Sequence, residues 1–145
     1  MTIPDINWWL IVNHLTHMLI AYGLALPIGW DSEREARGVG LRTFPLVAMA
    51  CCGYILIGNE VLSGDAAQAR ILYGLMSGIG FIGGGAILKS EGSVSGTSTA
   101  AALWSTGAIG AAVGWNRYEI AVVLAVMTLF TLRVFRQVKP RPSSD

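Results

Sequence analysis

Apolar residues gather into five stretches, at 8–30, 44–62, 71–88, 99–114 and 118–135, and the charged residues fall almost entirely between them. Runs of this length match a hydrocarbon core about 30 Å thick at a rise of about 1.5 Å per residue. The pattern predicts five transmembrane helices and an all-α integral membrane protein. Trp8, Trp9 and Trp30 bracket the first span as interfacial anchors, and Pro27 is expected to kink it near its end. Pro45 opens the second span, where a helix tolerates proline. The fourth stretch is short, so its helix is expected to start a few residues before Thr99. The fifth, rich in Val, Leu, Ile and Phe, is expected to face lipid.

The third stretch has an unusual composition: residues 74–89 read Gly-Leu-Met-Ser-Gly-Ile-Gly-Phe-Ile-Gly-Gly-Gly-Ala-Ile-Leu-Lys. Each interior glycine costs a helix in water about 0.5–1 kcal/mol relative to alanine. In a bilayer no water competes for the backbone, and glycine lets helices approach closely. Gly74/Gly78 and Gly80/Gly84 are spaced four apart, and Gly83, Gly84 and Gly85 widen the bare strip. This segment is therefore expected to be the central helix of the bundle. The small residues of the fourth stretch, including Gly110 and Gly114, make that helix its natural packing partner. Gly78–Gly83 also matches the G-x-G-x-x-G spacing of dinucleotide-binding turns. That reading needs a preceding strand and a downstream acidic residue in a βαβ unit, and none is present. A phosphate-binding loop fails for want of a Gly-Lys-Ser/Thr.

Composition agrees with the pattern. The chain has 145 residues, 53% hydrophobic and 13% charged, whereas a soluble domain carries about 25% charged residues. One bundle over 1–135 and a disordered cytoplasmic tail over 136–145 account for the length. Nothing basic precedes the first span, which argues against a cleaved signal peptide. Cys51 and Cys52 read as buried thiols. His14 and His17 share a helical face, but two ligands do not make a metal site; with Asn13 they read as an inward-facing polar cluster. No metal, cofactor or nucleic-acid partner is implied, and no nucleophile–base pair suggests an enzyme.

Charge placement sets the orientation. With the C-terminus inside, Arg34, Arg37, Arg42, Lys89, Arg133, Arg136, Lys139 and Arg141 are cytoplasmic, and only Arg70 and Arg117 lie outside. That asymmetry obeys the positive-inside rule with the N-terminus outside. It also collects the polar chemistry on the cytoplasmic face. Asp31, Glu33, Arg34, Arg42, Thr43, Lys89, Thr97 and Thr99 form the candidate functional patch. Gly38 and Gly40 allow the chain to reverse, and Asp31 is the expected carboxylate partner of Arg42. The competing reading is that these charges fix topology and bind lipid headgroups.

Three segments carry a resemblance: Gly40-Leu-Arg-Thr-Phe-Pro-Leu-Val47, Gly78-Ile-Gly-Phe-Ile-Gly-Gly-Gly-Ala-Ile-Leu-Lys89 and Ser95-Gly-Thr-Ser-Thr-Ala-Ala-Ala-Leu-Trp104. In this order, and followed by Gly107, Gly110 and Gly114, they resemble the N-terminal membrane domain of the MgtC/SapB family. The family's usual Gly-Leu-Glu-Arg-Glu reads Gly29-Trp-Asp-Ser-Glu33 here, so Asp31 replaces a glutamate and Ser32 an arginine. Thr97 stands where leucine is usual. Many members carry a cytoplasmic C-terminal domain, and the chain is expected to lack one. The resemblance implies a bacterial inner-membrane protein tied to growth in low magnesium. It further implies a non-enzymatic modulator of other membrane machinery, with a membrane-protein partner or a homo-oligomer in the bilayer. The alternative is a transporter of magnesium or another cation. The spans offer few acidic residues for a hard-cation path, Glu60 and Glu119 lying near one interface.

Overall fold

The computed structural model describes residues 7–34, 40–90 and 93–138. Its five helices are α1 (Trp8–Glu33), α2 (Thr43–Val61), α3 (Asp65–Gly85), α4 (Thr97–Gly114) and α5 (Tyr118–Val138). A short hairpin, β1 (Leu88–Ser90) and β2 (Ser93–Ser95), sits between α3 and α4. Three helices are long and apolar enough to cross a membrane: α1, α2 and the 118–135 part of α5. α3 and α4, where glycine, alanine, serine and threonine replace larger aliphatics, are not among them.

Local chemistry explains the element ends. The Asn7 side-chain oxygen accepts the Trp9 and Leu10 N–H groups at 3.1 and 3.3 Å. It thereby satisfies two of the donors a helix start leaves unpaired. α1 runs past Trp30 to Glu33 and so takes Asp31 and Ser32, both buried, into the helix. Pro45 lies in the first turn of α2, where its missing N–H has no helical acceptor to lose. α3 starts at Asp65, well ahead of the expected Ile71.

α3 stops short of the expected end at Leu88, and residues 88–90 and 93–95 pair as antiparallel strands, with Lys89 opposite Val94. Gly96 then turns the chain into α4 with φ at 82°. A Cβ there would collide with the Ala86 carbonyl oxygen. Gly96→Ala is expected to cost at least the 1–2 kcal/mol of a left-handed alanine, read as a lower unfolding temperature in detergent. An unchanged temperature would mean that this turn is free to relax.

The centre of the bundle is α4, which corrects the expectation for the glycine helix. α4 packs against all four other helices, and every residue from Ile109 to Gly114 is buried. Its glycines are where neighbouring helices press closest. Gly107 lies against Ile79 and Cys51, Gly110 against the Ala48 backbone, and Gly114 against Ile55 and Cys52. Close approach without side chains is how membrane helices gain contact.

α3 is peripheral, with Ile79 and Gly83 its only buried residues. The inward row is Leu75, Ile79 and Gly83, spaced four apart, and Gly83 touches Ala100. Gly74, Gly78, Gly80, Gly84 and Gly85 lie off that row, and no described atom would meet a Cβ on them within 4 Å. α5 buries Ala121 and Ala125 and exposes its larger aliphatics. It stays helical through Val138, beyond the expected end at Phe135. Residues 139–145 of the expected tail lie outside the described residues.

Candidate functional site

The helices alternate in direction, so the end of α1, the start of α2, the hairpin, the start of α4 and the end of α5 share one end of the bundle. Here α1 meets the chain entering α2 backbone to backbone: a Cβ on Gly29 would lie 2.9 Å from the Gly40 carbonyl oxygen. Gly40 in turn is pressed on Glu33, whose Cβ would lie 2.6 Å from a Cβ at position 40. The Glu33 carboxylate accepts the Leu41 N–H at 3.0 Å, which holds the chain entering α2. Phe44, fully buried, donates its N–H to the Gly40 carbonyl at 3.1 Å.

Asp31 is the buried carboxylate of this end, with its side chain 7% exposed. The expected partner was Arg42, but among the described residues an arginine in contact is Arg133 of α5, Nε to Oδ1 at 3.6 Å. The reason is directional. Asp31 lies within α1 on its buried face, whereas Arg42, just ahead of α2, is exposed and makes no ion pair with a described carboxylate. Arg34 lies with its guanidinium 5.6 Å from the centre of the Trp30 ring, a cation–π distance.

Thr43 is half-buried and Thr97 exposed. Thr99 is buried on the inward side of α4. Lys89 falls in β1, at this end, and its side chain lies outside the described residues, as do residues 35–39 with Arg37 and Gly38. The end therefore assembles Asp31, Glu33, Arg34, Arg42, Thr43, Thr97 and Thr99 on neighbouring elements. It also adds two residues that spacing did not single out. Arg133 carried a legible signal, as the first cation after fifteen residues of the last helix. Ser32 carried none; its hydroxyl is buried and makes no hydrogen bond among the described residues.

A second polar cluster lies at the opposite end. Of the expected inward cluster only His17 is buried, Asn13 being exposed and His14 half-buried; both His17 ring nitrogens face an oxygen. His14 lies 4.0 Å from Glu60 of α2. Asn59 donates to the Gly114 carbonyl at 3.2 Å, and the Trp115 indole N–H donates to Gln68 at 3.3 Å. Between the two ends the core is mostly apolar, with Ala21, Ala25, Ala48, Cys52, Ile55, Leu103, Ile109 and Val113 buried; the hydroxyls there are tied up, Thr106 donating to the Ala102 carbonyl at 2.8 Å and Ser105 paired with Thr128 at 2.6 Å. Among the described residues no three of His, Cys, Asp or Glu are grouped to hold a metal ion.

Comparison with known proteins supplies the lineage. Residues 18–141 match the MgtC family. The chain is 37% identical over 117 residues to YhiD of Escherichia coli K12, provisionally named a magnesium transporter, covering 76% of this chain and 54% of that protein. It is 33% identical over 135 residues to SrpB of Synechococcus elongatus, covering 84% and 74%. It is 35% identical over 113 residues to MgtC of Brucella abortus, covering 78% and 46%. The chain thus spans about half the length of YhiD and of the Brucella protein. No solved structure matches it. A match over residues 18–141, on a bundle whose outer helices are apolar enough to span a membrane, places the chain in the MgtC family of membrane proteins.

Proposed function

We propose that the chain is a five-span, non-enzymatic protein of the bacterial inner membrane that modulates other membrane machinery when magnesium is limiting. The observation that carries this reading is the closed interior. Gly110 meets the Ala48 backbone, the middle is mostly apolar with the buried Thr106 hydroxyl spent on the Ala102 carbonyl, and the described carboxylates lie towards the two ends. A hard-cation path needs oxygen ligands at mid-depth, and the packing around α4 leaves little room for them. A surface suited to contact is available by contrast. An open apolar groove of about 510 Å³ runs between α2 and α3, lined by Val47, Cys51, Tyr54, Gly74 and Gly78 among others. It would meet lipid, a membrane-protein partner or a second copy.

A cation-transport reading has one specific support, the provisional name of YhiD. The two are separated by measuring Mg²⁺ flux into liposomes holding the pure protein, beside crosslinking and pull-down from native membranes. A reproducible complex without flux is expected; flux from the pure protein would establish transport instead. Five spans with the N-terminus outside predict that a cysteine at position 66 is labelled in intact spheroplasts and one at position 141 is not. Labelling of position 141 from outside would overturn that arrangement.

A further inference from the structure

At the end away from the charged patch, one imidazole ties α1 to the turn between α4 and α5. His17 is 5% exposed, and each ring nitrogen faces an oxygen at 2.8 Å. Nδ1 meets the Asn13 backbone carbonyl, and Nε2 meets Oδ1 of Asn116. A carbonyl oxygen only accepts, so Nδ1 carries a proton. In the neutral ring Nε2 then has only a lone pair, which cannot bond to Oδ1. Two arrangements satisfy the site. Either the imidazolium donates from both nitrogens, or the neutral ring accepts from the Asn116 amide after that amide has turned over.

Tyr118 reads the same amide. Its hydroxyl lies 3.3 Å from Oδ1, and its ring centre is 5.9 Å from the imidazole. With the amide oxygen inward the hydroxyl donates to it; with the nitrogen inward the hydroxyl must accept. Ring charge, amide orientation and hydroxyl direction therefore change together.

The backbone under this amide is fixed independently. Asn116 has φ of 58°, a conformation asparagine tolerates better than most residues. The Arg117 N–H donates to the Ala112 carbonyl at 2.8 Å and the Asn116 N–H to Val113 at 2.9 Å. That pair is the Schellman closure of a helix end. The amide can rotate about its own side-chain bonds while the turn stays in place.

We propose that His17 and Asn116 form a proton-operated latch between α1 and the α4–α5 turn. The imidazolium closes it with two donated, charge-assisted hydrogen bonds, about twice as strong as neutral ones. The neutral ring closes it only with the amide reversed. The other ionisable and polar groups near this site among the described residues have places of their own. His14, on α1, lies 4.0 Å from Glu60 of α2, Asn59 of α2 bonds to Gly114 of α4, and Arg117 and Glu119, flanking Tyr118, are exposed. With the orientation proposed above, this end faces outward and the latch reads external acidity; the latch itself rests on the geometry alone.

The test is NMR on the full chain in detergent, with ¹⁵N-labelled histidine and asparagine, across about pH 5 to 8, where imidazoles ordinarily change charge. At the acid end both His17 nitrogens should carry protons; at the alkaline end only Nδ1 should. The Asn116 side-chain amide signals should shift with the same midpoint as His17. His17→Gln should abolish that shift, and His14→Gln should preserve it. Asn116→Gly, which keeps the left-handed turn, should uncouple the Tyr118 signals from the His17 titration. A stationary Asn116 amide in the wild type, different midpoints for the two residues, or a proton on Nε2 alone at the alkaline end would each overturn the proposal. The wild-type measurements decide it even if His17→Gln fails to fold.

Discussion

Gly110→Ala is expected to abolish most of the folded, monodisperse protein recovered in detergent. The added methyl would collide with the Ala48 carbonyl oxygen and lie 2.8 and 2.9 Å from the carbonyl carbon and Cα of the same residue. All three are backbone atoms inside a helix, so no rotamer change relieves the overlap, and α2 and α4 must part. Overpacking of a tight core costs typically about 1–3 kcal/mol. Here the strain falls between the central helix and one of its main partners. Gly84→Ala is the matched control, because no described atom would meet its methyl within 4 Å. It should behave as wild type or slightly better, since alanine favours the helix by about 0.5–1 kcal/mol. Size-exclusion chromatography and thermal unfolding in detergent read both. A Gly110→Ala protein as stable as the wild type would mean that α2 and α4 do not meet there.

Asp31→Asn is expected to drop the growth of a deletion strain in limiting magnesium to the level of the strain without the protein, with normal membrane abundance. Asparagine keeps the shape of the buried side chain and removes the charge that faces Arg133. The ion pair is 3.6 Å long and its arginine side chain is 61% exposed. After screening by solvent, the pair contributes no more than about 1 kcal/mol to stability. Loss of growth at normal abundance would therefore report on a working surface rather than on folding. Arg42→Lys should rescue fully, because Arg42 is exposed and lysine fixes topology equally well. Full rescue by Asp31→Asn would reduce the patch to an orientation signal. Failure of Arg42→Lys would instead point to a bidentate role for that guanidinium, a geometry lysine cannot reproduce. Growth rate and an immunoblot of the membrane fraction are the two readouts.

The helices themselves were legible in the sequence, because apolar run length and the placement of charge are local properties. The apolar runs around 44–62 and 118–135 carry the signal, and α2 and α5 keep nearly those bounds. The family was legible from three motifs in fixed order, whereas of the expected inward cluster Asn13, His14 and His17 only His17 is buried. The bounds that failed were decided by contacts between distant residues. α1 absorbs Asp31 and Ser32 because α5 and the approach to α2 cover that face. Residues 88–90 pair with 93–95 because α3 and α4 bring the two strands together.

Which helix is central could not be read from composition, since glycine permits close approach without choosing a partner. α3 has more glycines in sequence, but only Gly83 falls on its inward row. α4 places Gly107, Gly110 and Gly114 against α2 and α3. The partner of Asp31 was equally hidden. Arg42 is nearer along the chain, but the buried face of α1 turns Asp31 towards α5, where Arg133 lies. Hydropathy and charge along the chain define what each segment is; which face of a segment meets which neighbour is set when the helices pack. A helix's facing depends on the packing of all its partners at once, and no local pattern encodes that.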